Sequence, residues 1–193
     1  KDVRKGVASD FKFPGDRIYL CGETHQELGA SEIAFMFREE TQGKSGIGGR
    51  VPEIDTSRNM AMYRALTDAM QKELVASAHD CSDGGLAVAI SECCFGSDSG
   101  ARVDISPIMS DCDQIEPWGA LFGESLGRIL VSVKPDKCKM FENIMTGHAC
   151  YLLGVVEQGD IITITQGETA LISTSMSALR NEWKDTLDGG GPQ

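Results

Sequence analysis

The stretch that most constrains this chain is Ser77-Ala-His-Asp-Cys-Ser-Asp-Gly-Gly-Leu-Ala-Val-Ala-Ile90. At its head, Leu74-Val-Ala-Ser-Ala78 is a short run of small and apolar residues, the composition of a buried strand. Beyond the turn, Leu86 to Cys94 is apolar at almost every position except Ser91 and Glu92 and contains no proline. That run is too long for a strand and predicts a helix buried on most sides. The turn between them is expected to cap the first helical amides with Ser82 or Asp83. Gly84 and Gly85 would then leave the backbone uncovered. Strand, uncovered turn and helix start together predict a place for a ligand oxygen, because unpaired amides point outward there.

His79-Asp-Cys-Ser-Asp-Gly-Gly-Leu-Ala-Val-Ala89 resembles the H-D-x-S-D-G-G-L-A-V-A signature of the phosphoribosylformylglycinamidine synthase family. The closer likeness is to the last domain of those enzymes, which is similar to the C-terminal half of aminoimidazole ribonucleotide synthetase. In that relative the same turn reads H-I-T-G-G-G. Gly22-Glu-Thr-His-Gln-Glu-Leu-Gly-Ala-Ser-Glu32 is similar to the family's G-x-T-x-x-E-L-G-G-S-E. Val51-Pro-Glu-Ile-Asp55 and Leu121-Phe-Gly-Glu-Ser-Leu-Gly-Arg128 continue the likeness in family order, so that it covers residues 2–164. A lone D-G-G-L would carry no such weight.

The resemblance implies an α/β fold with α+β-type layers, a mixed β-sheet covered by helices. It implies one domain over residues 1–187 and a tail over 188–193. It further implies a part of an ATP- and glutamine-dependent amidoligase of purine synthesis, which converts formylglycinamide ribonucleotide to formylglycinamidine ribonucleotide. In such enzymes ATP, Mg²⁺ and the catalytic groups come mainly from other domains, so this domain alone is expected to be inactive. The implied partners are preceding domains of the same chain, a glutaminase subunit or domain, and a small ribonucleotide. A homodimer of the fragment stays open. Two rivals remain: a domain of aminoimidazole ribonucleotide or selenophosphate synthetase, and a structural or regulatory pseudo-dimer domain without a ligand. Ser82-Asp83 in place of threonine-glycine speaks against aminoimidazole ribonucleotide synthetase.

Candidate ligand-binding residues are Ser82, Asp83, Gly84, Gly85, Glu124, Ser125 and Arg128; no catalytic residue and no metal ligand is assigned. Asp80 and Asp83 set a condition on any ligand. A phosphate charge about 4 Å from a carboxylate is repelled by about 1 kcal/mol in bulk water, and by about 4 kcal/mol at an effective dielectric near 20. Helix-terminal attraction, about 0.3–2 kcal/mol, does not offset this. Either Mg²⁺ bridges carboxylate to phosphate, or the aspartates accept from ligand hydroxyl or amino groups, or the turn is only structural. Arg128, the cation nearest to Glu124 and Ser125, is read equally as a salt bridge at a strand start. The sister domain of the family carries E-S-Q-E-R there and contacts substrate; here Leu126 and Gly127 replace the polar pair, which suits a structural nucleotide instead.

A net charge of −11 over 193 residues disfavours nucleic-acid backbones and anionic membranes. No run reaches the roughly 18–20 apolar residues of a membrane span, and no signal peptide is visible at Lys1. Seven cysteines without a C-x-x-C pair predict free thiols in a reducing cytoplasm rather than zinc ligands or a disulfide scaffold. Cys81 is expected to pack rather than react, and His79 to be a hydrogen-bonded structural residue.

Along the rest of the chain, Arg17–Cys21, Ala101–Ile105, Ile129–Val133, Cys150–Val156 and Asp160–Thr165 predict strands. Helices are expected over Glu32–Glu40 (capped by Ser31, with Ile33, Phe35, Met36 and Phe37 in a core), Thr56–Lys72, Pro135–Met145 and Ser173–Leu187. Met109–Glu116 reads as an acidic surface segment, Trp118–Phe122 as packed, and the glycine-rich Thr41–Arg50 as a mobile connection rather than a phosphate loop.

Overall fold

The computed structural model describes residues 5–37, 49–97, 99–111 and 114–187, with the side chains of 185–187 left out. Strands β1 (Arg17–Cys21), β2 (Val75–Asp80), β3 (Ser99–Asp104), β4 (Ile129–Val133), β5 (Cys150–Gln158), β6 (Ile161–Gln166) and β7 (Thr169–Ser175) form one sheet in the order β2-β4-β1-β5-β3-β6-β7. Every pairing is antiparallel except β3 with β6. The helices are α1 (Glu32–Met36), α2 (Thr56–Gln71), α3 (Gly85–Phe95), α4 (Ser106–Asp111), α5 (Pro117–Phe122), α6 (Cys138–Met145) and α7 (Met176–Leu187). The mixed, helix-covered sheet expected from the sequence is the observed fold.

Alternation along β1 assigns the layers. Ile18 and Leu20 point into one core with Leu86, Ile90, Cys93 and Cys94 of α3. Tyr19 and Cys21 point into the other, with Met62, Leu66 and Ala69 of α2 and Phe141 and Met145 of α6. The helix α3 is buried nearly all round, as its composition demands; fully burying Leu86 or Ile90 contributes about 1.5–3 kcal/mol each. Asp55 caps α2 by accepting from the amides of Ser57 and Arg58, both at 3.0 Å.

Three expectations are corrected. Helix α1 spans only Glu32–Met36 in the described residues and buries none of its side chains; Met36 is 72% exposed. Ser31 does cap it, accepting from the Ala34 amide at 3.3 Å. The C-terminal helix begins at Met176, because Thr169–Ser175 is taken up as the antiparallel partner of β6. In the segment read as acidic surface, Ile115 is buried, while Trp118, in the segment read as packed, is 55% exposed and stacks on Phe122 at 5.3 Å. The glycine-rich reading falls mostly on residues 41–48, outside the described residues, as does the tail over 188–193.

Asp104 ties the far half of the sheet together. Its Oδ1 accepts from the Ser106 amide (2.9 Å), the Ser106 hydroxyl (2.7 Å) and the Gly167 amide (3.0 Å). Burial works to raise this carboxyl, but the three donors prevail and hold it below its ordinary 3.8. A carboxyl with a depressed folded pKa stabilises above its unfolded pKa, and that stabilisation is lost as pH falls through the folded value. Asp104→Ala is therefore expected to cost about 1–3 kcal/mol at neutral pH. The gap to the unchanged protein should close in acid below pH 3.8, as read by urea unfolding across that range.

Candidate functional site

The C-terminal ends of β1 and β2 meet the N-terminal ends of β4 and β5 at one end of the sheet. Cys21 and Asp80 both register with Ile129, and the Cys81 amide donates to the Arg128 carbonyl at 3.0 Å. Loops 22–32, 81–84 and 123–128 leave the sheet there and converge. Four of the seven residues singled out from the sequence (Ser82, Asp83, Glu124 and Arg128) line a single depression of about 400 Å³. Asp80, Pro52, Tyr63, Leu126 and Gly127 also line it, with Cys81 and Ile129.

The amides of Gly84 and Gly85 are not bare. Gly84 occupies the cap position of α3 in the left-handed conformation (φ 76°), and no side chain of the turn caps the helix. Ser82 instead donates its hydroxyl to Asp80 Oδ2 at 2.6 Å. That bond, with a smaller contribution from His79, holds the Asp80 carboxyl below 3.8. The expected Ser82 or Asp83 cap is thus replaced from a distance. Glu124 Oε1 accepts from the Gly84 amide at 3.0 Å and from the Glu32 amide at 2.9 Å. A carboxylate at a helix start gains from the helix dipole as a ligand anion would. The chain fills its own oxyanion position.

Gly85 does not face the depression either. It is buried, with φ 67°, and a Cβ built on it would stand 2.5 Å from the Gly123 carbonyl oxygen and 2.9 Å from that of Leu121. Its amide donates to the Ser82 carbonyl at 3.0 Å. The residue is a glycine because the 121–123 backbone leaves no room for a side chain.

Ser125 and Arg128 lie beneath the site. The Ser125 hydroxyl accepts from the His25 amide at 3.1 Å. Arg128 is 1% exposed, and its guanidinium donates to the carbonyls of Ser125 (3.2 Å) and Gly123 and to the Thr24 hydroxyl (3.4 Å). The salt bridge expected at the strand start is replaced by this fan of neutral acceptors. Burial pulls the guanidinium's pKa down, while Cys81, Glu27 and Glu124 act to raise it. Arg128 therefore holds loops 22–25 and 123–125 in register, which its position near Glu124 and Ser125 in the sequence did not reveal.

Sequence reasoning missed Glu27, Tyr63 and Pro52. Glu27 is fully buried; its Oε1 accepts from the Glu53 amide at 3.2 Å and lies 3.9 Å from Arg50, joining loops 22–32 and 49–55. A glutamate inside a G-E-T-H-Q-E-L run was the available signal. Tyr63 carries none, since only the docking of α2 brings it to the depression.

Cys81 packs in the core, its thiol pushed up to about 11 chiefly by burial, which leaves it a poor nucleophile at neutral pH. His79 is half-buried; its Nδ1 lies 2.6 Å from the Asp80 carbonyl and its Nε2 3.3 Å from Glu92. Among the described residues, no three His, Cys, Asp or Glu side chains gather as a metal site. A divalent ion here would need oxygens from its ligand, the arrangement Mg²⁺ adopts with one or two carboxylates and phosphates.

Known proteins resemble this chain in sequence and in fold. The phosphoribosylformylglycinamidine synthase subunit PurL of Thermobifida fusca is 36% identical over 189 residues, 96% of this chain and 23% of that protein. The PurL of Limosilactobacillus reuteri is 29% identical over 97% of the chain and 23% of its own length. The chain thus spans about a quarter of these curated relatives. Among solved structures, T. maritima PurL complexed with FGAR superposes with a TM-score of 0.76 at 21% identity, over 91% of this chain and 29% of that one. The E. coli hydrogenase maturation protein HypE superposes with a TM-score of 0.60 at 12% identity, over 88% of this chain and 52% of that one. The family model described as "AIR synthase related protein, C-terminal domain" matches residues 14–166. That match takes in strands β1 to β6, the α3 turn and every loop around the depression, so the chain belongs to the AIR synthase related protein C-terminal domain family.

Proposed function

We propose that this chain is a domain of a phosphoribosylformylglycinamidine synthase and supplies one wall of an interdomain ligand cleft. The observation that carries the reading is the convergence of Ser82, Asp83, Glu124 and Arg128 on one depression, together with the 36% identity to a PurL subunit. The whole protein would use ATP, Mg²⁺ and glutamine-derived ammonia to convert formylglycinamide ribonucleotide to the amidine in the cytoplasm. A glutaminase would be its partner, in an assembly comparable to the PurLQS of Thermotoga maritima, which superposes on this chain with a TM-score of 0.68. The remaining domains would carry the catalytic groups and leave this piece inactive alone. Exposed Leu126, Val51, Ile54 and Trp118 around the site give those domains an apolar face to cover.

The chemistry of the wall selects what reaches it. Asp80, Asp83 and Glu124 are acceptors, and the two amides that would greet a phosphate are already held by Glu124. The ligand end here is one that donates, such as ribose hydroxyls or an amine, or a phosphate reached through Mg²⁺ held by Asp80 or Asp83.

Calorimetry tests this with the whole protein. Mg·ADP or a ribonucleotide monophosphate with Mg²⁺ should bind, and Asp83→Asn should weaken binding about 10-fold, the effect of one lost charge-assisted contact of roughly 1.4 kcal/mol. Inorganic phosphate without Mg²⁺ should not bind. Metal-free phosphate binding that Asp83→Asn strengthens would refute the acceptor-lined wall. A second reading, a purely structural domain, is favoured by the sealed Gly85 and the self-filled amides; binding unaffected by any change at Asp80, Asp83 or Tyr63 would establish it.

A further inference from the structure

Two thiols face each other where β1 and β5 enter the site. Cys21 and Cys150 are directly paired across these antiparallel strands, with their Sγ atoms 3.6 Å apart. The next pair outward is joined by the Gly22 amide donating to the Ala149 carbonyl at 2.9 Å. Hydrogen-bonded and non-hydrogen-bonded pairs alternate along an antiparallel ladder, so Cys21 and Cys150 occupy a non-hydrogen-bonded position. The Cα atoms of such a pair lie about 4.5 Å apart and their side chains are close. That spacing falls within the roughly 4.4–6.8 Å over which disulfides form. Side-chain rotation, without movement of the strands, is enough to bring the sulfurs together.

The two cysteines are also unequal in a useful way. Cys21 is fully buried, whereas Cys150 is only partly so. The Cys150 contact and burial, aided by the nearby Cys81, push the Cys21 thiol well up and keep it protonated. Cys150 is therefore the sulfur that meets an oxidant from solvent. Cys21 is the one that resolves the product.

We propose that Cys21 and Cys150 form a reversible dithiol switch, closed to a cross-strand disulfide by a hydroperoxide, that clamps β1 to β5 at the mouth of the site. In the first step the Cys150 thiolate attacks one oxygen of hydrogen peroxide; the O–O bond breaks, and Cys150 sulfenic acid and hydroxide form. Hydroxide takes up the proton that Cys150 released on ionising. In the second step the Cys21 sulfur attacks the sulfenic sulfur, the S–O bond breaks, and the Cys21 proton leaves with the hydroxyl as water. Two thiols have given two electrons to one peroxide, and two waters result. An external dithiol reverses the bridge by exchange.

The consequence follows from what the strand ends carry. Gly22, immediately after Cys21, starts the loop that bears Thr24, Glu27 and Ser31, and it packs against Gly127 and Arg128 so closely that a Cβ there would lie 2.9 Å from the Gly127 carbonyl oxygen. Gly22 and Ala149 also border a second hollow of about 340 Å³ lined by Arg58, Asn59 and His148. The bridge joins the stems of both loops.

The test treats the chain with a small excess of hydrogen peroxide, blocks free thiols with iodoacetamide, and maps the non-reduced digest by mass spectrometry. A Cys21–Cys150 cross-linked peptide, lighter by two hydrogens than its parts and lost on adding dithiothreitol, is expected. The oxidised chain should melt several degrees higher than the reduced one. In Cys21→Ser, dimedone should trap a sulfenic acid at Cys150, and in Cys150→Ser the cross-link and the melting shift should both vanish. Circular dichroism of both reduced variants checks that each is folded. Oxidation of Cys150 to sulfinic acid with Cys21 intact, or preferential cross-links through Cys112 or Cys138, would overturn the proposal.

Discussion

Arg128→Ala is expected to lower the unfolding free energy by about 3–5 kcal/mol, the range for removing one member of a buried charged network. The substitution strands the carbonyls of Gly123 and Ser125 and the Thr24 hydroxyl inside the protein. Each loses a donor that water cannot replace, at about 1–3 kcal/mol per orphaned group before relaxation. It also leaves the fully buried Glu27 without the one buried cation near it among the described residues. Urea unfolding should show a lower midpoint with an unchanged slope, since the surface exposed on unfolding is the same. Arg128→Lys should recover only part of the loss, because one ammonium cannot reach three acceptors spread along a planar fork. A wild-type midpoint combined with lost ligand affinity would mean that Arg128 serves the ligand, not the loops.

The second large effect belongs to Gly85→Ala. A residue with a Cβ at φ 67° costs about 1–2 kcal/mol, and driving that carbon to 2.5 Å from a backbone oxygen adds roughly 1–3 kcal/mol of overpacking. The obstructing atoms are the carbonyls of Gly123 and Leu121, so relief requires moving α5 off α3. Its neighbour provides the contrast. A Cβ on Gly84 meets only the Val88 side chain, which can turn aside. Gly147, at φ 85°, has nothing within 4 Å, so Gly147→Ala isolates the backbone cost alone. Differential scanning calorimetry should rank Gly85→Ala lowest in Tm, then Gly84→Ala, then Gly147→Ala, at roughly 2–4 °C per kcal/mol for a chain of this size. A Tm for Gly85→Ala equal to that of Gly147→Ala would show that the 121–123 segment does not seal the helix start.

Both predictions come from contacts the motif alone could not display. The D-C-S-D-G-G turn announces a helix start with free amides. Whether the Gly84 amide stays free depends on a carboxylate 40 residues away, which also takes the Glu32 amide at the start of α1. Glu124 satisfies the Gly84 amide and still borders the depression. The site is consequently less an anion cradle than an acceptor-rich wall over a buried arginine.

Misread elements share one cause. Phe35 and Met36 have the composition of a core face, yet no layer of the described fold covers α1. Thr169–Ser175 carries few strand signals beyond Leu171 and Ile172, and becomes a strand because β6 presents it with an open ladder. Asp104 shows the same dependence: its grip on the β6–β7 turn is through Gly167, which no local rule connects to it.

What the sequence by itself determined is therefore local and compositional. It specified an all-apolar helix that had to be enclosed, strands alternating toward two cores, the Asp55 and Ser31 caps, and a turn that only glycines could make. Each of these follows from the burial and backbone preferences of neighbouring residues. Tertiary structure alone decided that Glu124 would fill the Gly84 amide, that Arg128 would brace loops, and that Cys21 would face Cys150. Those outcomes depend on which distant segments share one end of the sheet, and short-range preferences do not encode strand order.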